Sequence, residues 1–107
     1  MRGDGLRGHL ELLLLAAVAR RPGHGYGIAE YLRTVSSGEF DVPEGSIYPA
    51  LYRMERRGVI KSAWSEDAGR RRRVYAITPK GRRELTQAQR AWTDFARGVN
   101  AVLGAIG

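Results

Sequence analysis

Between Gly45 and Gly81 lie the side chains with the most scope for recognition chemistry. Tyr48, Pro49, Tyr52 and Arg53 share a segment that starts at Gly45 and stops at Gly58, and Arg70, Arg71, Arg72 and Arg73 run consecutively soon after. Tyrosine rings and a proline can meet thymine methyl groups in a DNA major groove, and arginine can be bidentate to guanine or grip a phosphate. A run of arginines suits a polyanionic backbone, where each phosphate neutralised adds ~0.9 to the slope of log affinity against log salt. The plainer alternatives are packing of Tyr48 or Tyr52 on a neighbouring element and, for the arginines, a solvated hairpin face or internal pairing with Glu66 or Asp67.

Charge placement favours the first reading. Eighteen Lys and Arg against 11 Asp and Glu give a net charge of +7 in 107 residues, a length that suits one domain. Residues 61–84 hold eight of the basic side chains (Lys61, Arg70 to Arg73, Lys80, Arg82, Arg83) against three acids (Glu66, Asp67, Glu84), a local balance of +5. A clustered positive field attracts polyanions, most commonly nucleic acid, although an anionic membrane surface or an acidic protein would also answer.

Catalysis has little to stand on. With no cysteine there are no disulfides, cysteine nucleophiles or thiolate metal sites. His9 and His24 lack carboxylates at ligand spacing, so no metal is expected. Neither a Gly-x-Ser-x-Gly elbow nor a P-loop is present, and the glycine-rich Gly23 to Gly27 does not follow a strand pattern, so no catalytic residue and no cofactor is expected. The apolar run Leu12 to Val18 is too short to span a bilayer. It is flanked by Glu11 and by Arg20-Arg21-Pro22 without a cleavage motif, so neither a membrane partner nor a signal peptide is expected and the cytoplasm is the default location.

The recognition residues need a frame, and hydrophobic periodicity supplies one. Leu6, Leu10, Leu13, Leu14, Ala17 and Val18 make a helical stripe over 6–20, ended by Arg20-Arg21-Pro22-Gly23. Leu12 and Leu15 fall on its other side, which implies a second covering surface such as a partner subunit. His24-Gly25-Tyr26-Gly27 leads into a second helix over about 26–36 with Ile28, Leu32 and Val35 buried. The glycines permit a tight helix start, and Tyr26 is expected to plug the core rather than to reach a phosphate. A third helix runs from Ser46, as N-cap, to Arg57, with Gly58 as its left-handed stop. Ile47, Ala50, Leu51 and Met54 face inward, which leaves Tyr48, Pro49, Tyr52, Arg53 and Arg56 outward.

Strands over 59–65 and 71–78, joined by a loop over 66–70, complete a hairpin. Alternation along a strand means that the four arginines cannot all point one way. Thr78-Pro79 reads as N-cap and first helical residue of a last helix that reaches about Leu103. Leu85, Ala88, Trp92, Phe95, Val99, Val102 and Ile106 are spaced alternately by three and four, a heptad seam that implies a second chain. The expected fold is therefore mainly α with a small β-hairpin: a winged helix-turn-helix over residues 1–78 and a dimerising C-terminal helix over 79–107.

At that point the motifs carry a resemblance. His24-Gly-Tyr-Gly-Ile28, Gly45-Ser-Ile-Tyr-Pro-Ala-Leu-Tyr-Arg-Met-Glu55, Arg57-Gly58 and Gly69-Arg-Arg-Arg-Arg-Val-Tyr-Ala-Ile-Thr-Pro-Lys-Gly81 closely resemble the PadR family of bacterial transcriptional regulators, over nearly the whole chain and in the right order. Trp92 in a lone last helix fits the short branch of that family. The resemblance implies that Ser46, Tyr48 and Pro49 face DNA. It also implies that Trp92, with Phe95, Ala96 and Val99, can line a hydrophobic pore at the dimer interface where flat aromatic ligands stack, although ordinary dimer packing would explain the same spacing. The combined expectation is a homodimer, joined through its C-terminal and N-terminal helices, that reads an inverted repeat in double-stranded DNA. Repression relieved by a small molecule is implied by the resemblance alone. A winged-helix protein-interaction module and an RNA-binding protein are the alternatives, and Tyr48 and Pro49 argue against both because they suit a groove carrying thymine methyls.

Overall fold

The computed structural model describes residues 4–106, except for the side chains of 4–8, Asp67 and Ile106. The expected roles of Leu6, Asp67 and Ile106 thus lie outside the described side chains. Four helices and one hairpin follow in the order α1 (Asp4–Arg20), α2 (Gly25–Val35), α3 (Glu44–Arg56), β1 (Ile60–Asp67), β2 (Arg70–Ile77) and α4 (Pro79–Ile106).

The first three helices close over one core. Leu10, Leu14, Leu15, Ala17 and Val18 of α1 meet Ile28 and Leu32 of α2 and Ile47, Ala50, Leu51 and Met54 of α3, with Val42, Val59, Ile60 and Tyr75 completing the cluster. Leu15 is buried within this single chain and Leu12 is half-buried. The second apolar side of α1 is thus covered largely by its own neighbours, because α2, α3, β2 and α4 all pack on this helix.

Two boundaries differ from the sequence expectation for identifiable reasons. Helix α3 begins at Glu44, and its cap is Pro43, whose extended backbone (φ −64°, ψ 144°) turns the chain into the helix before Ser46 is reached. Ser46 is therefore an exposed first-turn residue whose amide donates to the Pro43 carbonyl at 2.9 Å. At the other end of α2, Val35 is exposed rather than buried. The left-handed residues Ser37 (φ 54°) and Gly38 (φ 83°) turn the chain away just after it, so Leu32 is the last side chain of α2 in the core.

The hairpin is tighter than expected. Its strands run on to Asp67 and Arg70, and only Ala68 and Gly69 form the turn, both with positive φ (53° and 76°) as a primed two-residue turn requires. Outside the hairpin, Gly23 pairs with Tyr75 through reciprocal backbone hydrogen bonds of 3.1 and 2.9 Å, which ties β2 to the start of α2.

Helix α4 starts as expected. The Thr78 hydroxyl accepts from the Gly81 amide at 3.0 Å and donates to the Gly58 carbonyl at 2.6 Å, while Lys80 Nζ donates to the Arg57 carbonyl at 2.6 Å. Gly58 itself is left-handed (φ 79°). The corner between α3 and β1 is thereby clamped to the first turn of α4. Leu85 rests against the core, and the helix then runs on for 28 residues in all. Trp92, Phe95, Val99, Val102 and Leu103 are left exposed along its outer part. Among the described residues, no helix is long and apolar enough to cross a membrane.

Candidate nucleic-acid interface

Burial of Ile47, Ala50, Leu51 and Met54 fixes the rotation of α3, so Ser46, Tyr48, Pro49, Tyr52, Arg53 and Arg56 are all exposed. Because α3 starts at Glu44, Pro49 is its sixth residue rather than a first-turn one, so it lies inside the helix and cannot supply the amide bond to the Gly45 carbonyl. Tyr48 packs its ring against the start of α2. A β-carbon built on Gly25 would stand 2.6 Å from Tyr48 Cε1 and 2.8 Å from its Oη, so the ring occupies space that only glycine leaves open. The expected tight backbone at His24 to Gly27 is present, but Tyr26 does not plug the core: it is exposed beside the same opening.

Two grooves meet at Tyr48. One, of about 510 Å³, is lined by His24, Gly25, Tyr26 and Glu44 together with all four wing arginines. The other, of about 680 Å³, lies between α3 and the wing and is lined by Tyr48, Tyr52, Glu55, Arg56, Arg73 and Tyr75. The expected recognition helix and the arginine run thus form one concave surface, with Tyr48 and Arg73 common to both grooves.

Strand register distributes the arginines. Ser62 opposes Tyr75, Trp64 opposes Arg73 and Glu66 opposes Arg71, and directly opposed residues share a face. Arg71 and Arg73 therefore stand on the face of Trp64, with guanidinium carbons 4.7 and 5.1 Å from its ring centroid. Arg73 also donates to the Ser62 hydroxyl at 2.8 Å, and that hydroxyl donates to Glu55 at 2.7 Å, a chain of hydrogen bonds from wing to α3. Arg72 points to the opposite face, where its Nη1 lies 2.9 Å from His24 Nε2. His24 caps α2 by accepting the Gly27 amide at Nδ1, 3.1 Å away.

Glu44 and Glu55 line the grooves themselves, whereas Glu11 and Glu84 lie elsewhere, paired with other arginines. Arg53 pairs with Glu11 (3.3 Å), and Arg57 pairs with both Glu11 (3.0 Å) and Glu84 (2.7 Å), which joins α3 to α1 and α4. No ion pair among the described residues involves Arg70, Arg71, Arg72 or Arg73, so the expected alternative of pairing with Glu66 is not formed, and pairing with Asp67 lies outside the described side chains. Among the described residues, Arg53 is therefore the one expected DNA-facing residue with a carboxylate partner of its own. Sequence reasoning weighed His24 only as a metal ligand and as part of the helix-start motif, and passed over Trp64 and Glu44. Trp64 could have been found by pairing the strands outward from the Ala68-Gly69 turn, whereas Glu11 lies 42 residues from Arg53 and no local pattern connects them.

On α4 the Trp92 ring meets His9 edge-on at 5.0 Å and Phe95 at 5.8 Å. Ala96 is half-buried, and Phe95 and Val99 are exposed on the same side. Among the described residues, no group of three or more His, Asp or Glu side chains is placed to hold a metal ion.

Three core helices, a two-stranded wing and a trailing helix, with aromatic and arginine side chains on one concave face, define a winged helix-turn-helix protein. Residues 14–87 match the Transcriptional regulator PadR-like family. A transcriptional regulator of Mycobacterium tuberculosis is 37% identical over 93 residues, covering 87% of this chain and 84% of that protein. A solved PadR-like transcriptional regulator from Bacillus cereus superposes with a TM-score of 0.83 at 30% identity, covering 94% of this chain and 97% of that one. A PadR family transcription regulator from Clostridium difficile gives 0.79 at 31% identity, with 90% and 99% covered. The chain belongs to the PadR-like family of transcriptional regulators. It is a DNA-binding regulator of transcription and not an enzyme.

Proposed function

We propose that this protein acts as a homodimer that recognises an inverted-repeat operator in double-stranded DNA and represses transcription until a flat aromatic molecule binds. The observation that carries this reading is the shared concave surface. Tyr48 and Tyr52 line that surface with apolar and hydroxyl groups suited to base edges, Arg70 to Arg73 border it without carboxylate partners among the described residues, and Ser46 and Pro49 are exposed on the same helix outside the two grooves. In this arrangement α3 enters a major groove and the wing reaches adjacent phosphates. Arg53 serves as a flanking phosphate contact, weakened by its pairing with Glu11.

The exposed seam on α4, from Trp92 to Val102, supports the dimer. Trp92, Phe95, Val99 and Val102 make an apolar strip on a helix that projects beyond the reading head, and such strips are uncommon on monomers. A two-fold axis through that seam places half-sites about one helical turn apart. An effector stacked on Trp92 at the axis would favour one separation of the two heads over another.

Footprinting on the DNA upstream of the chain's own coding sequence, with a gel shift against poly-A RNA at two salt concentrations, tests the reading. A symmetric protected site that persists at the higher salt, with no RNA shift, supports it. Equal binding to every polyanion that vanishes at moderate salt overturns it.

A further inference from the structure

Trp64 is a large ring left exposed on the wing, where it contributes nothing to the core. What it touches is a pair of arginines. The Arg71 and Arg73 guanidinium carbons lie 4.7 and 5.1 Å from its centroid, both within cation–π range. Arg73 is held a second time by the Ser62 hydroxyl at 2.8 Å, and Ser62 is held by Glu55 of α3 at 2.7 Å. Arg70, at the turn, has no comparable support among the described residues.

We infer that Trp64 is a positioning residue for DNA binding, whose indole holds Arg71 and Arg73 extended across the wing face before DNA arrives. Free arginine side chains have many rotamers, and fixing them on a phosphate costs affinity for each one ordered. A ring that stacks both guanidinium groups removes part of that cost in advance, and stacking leaves the edge N–H groups of Arg71, and those of Arg73 other than the Nε–H given to Ser62, to donate. The Glu55–Ser62–Arg73 chain then sets this prepared pair at a fixed offset from α3. Trp64 itself need not touch DNA. The inference rests on the proposal that the wing arginines meet phosphates, and the test separates the two.

The probe is a fluorescent random-sequence DNA duplex, which reports the phosphate grip whatever the operator, titrated with the full chain over a salt series. Replacing Arg71 and Arg73 together by alanine should lower the salt slope by up to ~1.8, two phosphates' worth. Trp64→Ala should weaken binding roughly three- to tenfold with the slope unchanged, because the same contacts form from less ordered side chains. Trp64→Phe, which keeps an aromatic face, should stay within about twofold of the wild type. Full affinity in Trp64→Ala overturns the inference while the arginine result stands, and so does an equal loss in Trp64→Phe. An unchanged slope in the double arginine variant overturns the wing proposal itself. Nitrogen relaxation of the arginine Nε–H groups in the DNA-free wild type needs no variant at all. Arg71 and Arg73 should be more ordered than Arg70, and equal mobility of all three overturns the inference.

Discussion

Gly25→Ala should leave the fold intact and damage DNA reading, which separates the two roles a glycine can have. The new β-carbon would stand 2.6 to 2.8 Å from three atoms of the Tyr48 ring, where ordinary carbon contacts need about 3.5 Å or more. Something must move by ~1 Å. The cheap movement is Tyr48, because the residue is 46% exposed and lines two open grooves. Gly25 lies in α2 with no positive φ, so alanine is tolerated there and reduces the freedom of the unfolded chain, a gain of about 0.4–1 kcal/mol. That gain roughly offsets the displacement, and the melting temperature should stay within about 5 °C of wild type. Base contacts are less forgiving. Each good one contributes about 1–3 kcal/mol of discrimination, so operator affinity should fall roughly five- to a hundredfold while random-sequence binding is little changed. Fluorescence anisotropy on both duplexes, in wild-type and Tyr48→Ala backgrounds, is the assay. If the effect runs through Tyr48 it should nearly vanish in the second background. Undiminished operator affinity in Gly25→Ala, or a full loss that persists without Tyr48, would refute the reasoning.

Other perturbations probe the frame and the seam. At Gly81 an added β-carbon would stand 2.0 Å from the Val59 carbonyl oxygen, and neither backbone can yield, so Gly81→Ala should cost about 2–3 kcal/mol or more and lower the calorimetric melting temperature by about 10 °C or more. Val99→Asp places a charge on the α4 seam and should give a monomer by ultracentrifugation; an unchanged dimer rejects the seam as the interface. Flat aromatic dyes should quench Trp92 saturably in a Trp64→Phe background, and a lack of quenching excludes the aromatic effector site. Burial, reinforced by the charge of Glu55, raises the Tyr75 phenol above its ordinary value near 10. Its folded value exceeds its unfolded one, so its contribution is complete below pH ~10 and is lost as pH rises through the folded value. Urea midpoints from pH 9 to 11 should therefore decline, and Tyr75→Phe should blunt the decline.

The parts of this molecule legible in the sequence are those fixed by short-range rules. Ile47, Ala50, Leu51 and Met54 orient α3 by helical spacing alone, and Tyr48, Pro49 and Tyr52 are exposed because that face is buried. Thr78-Pro79 announces α4, and the Thr78 hydroxyl indeed caps it. Ser46 misled because it is the best capping side chain in the segment, whereas proline at 43 sets the entering backbone geometry without any side-chain bond. Val35 misled because periodicity cannot see where the next turn removes the partner. What stayed hidden was pairwise and distant. Glu11 meets Arg53 and Arg57 only once α1 crosses α3, and His24 meets Arg72 only once β2 pairs with Gly23. These hidden contacts also sort the basic side chains. Arg53 and Arg57 are spent largely on carboxylates that bind α3 to α1 and α4, whereas Arg71 to Arg73 rest on an indole, a hydroxyl and an imidazole, partners that orient a guanidinium without cancelling its charge. Net charge counts all of these arginines alike. The fold divides them into those that hold the reading head together and those left available to a phosphate.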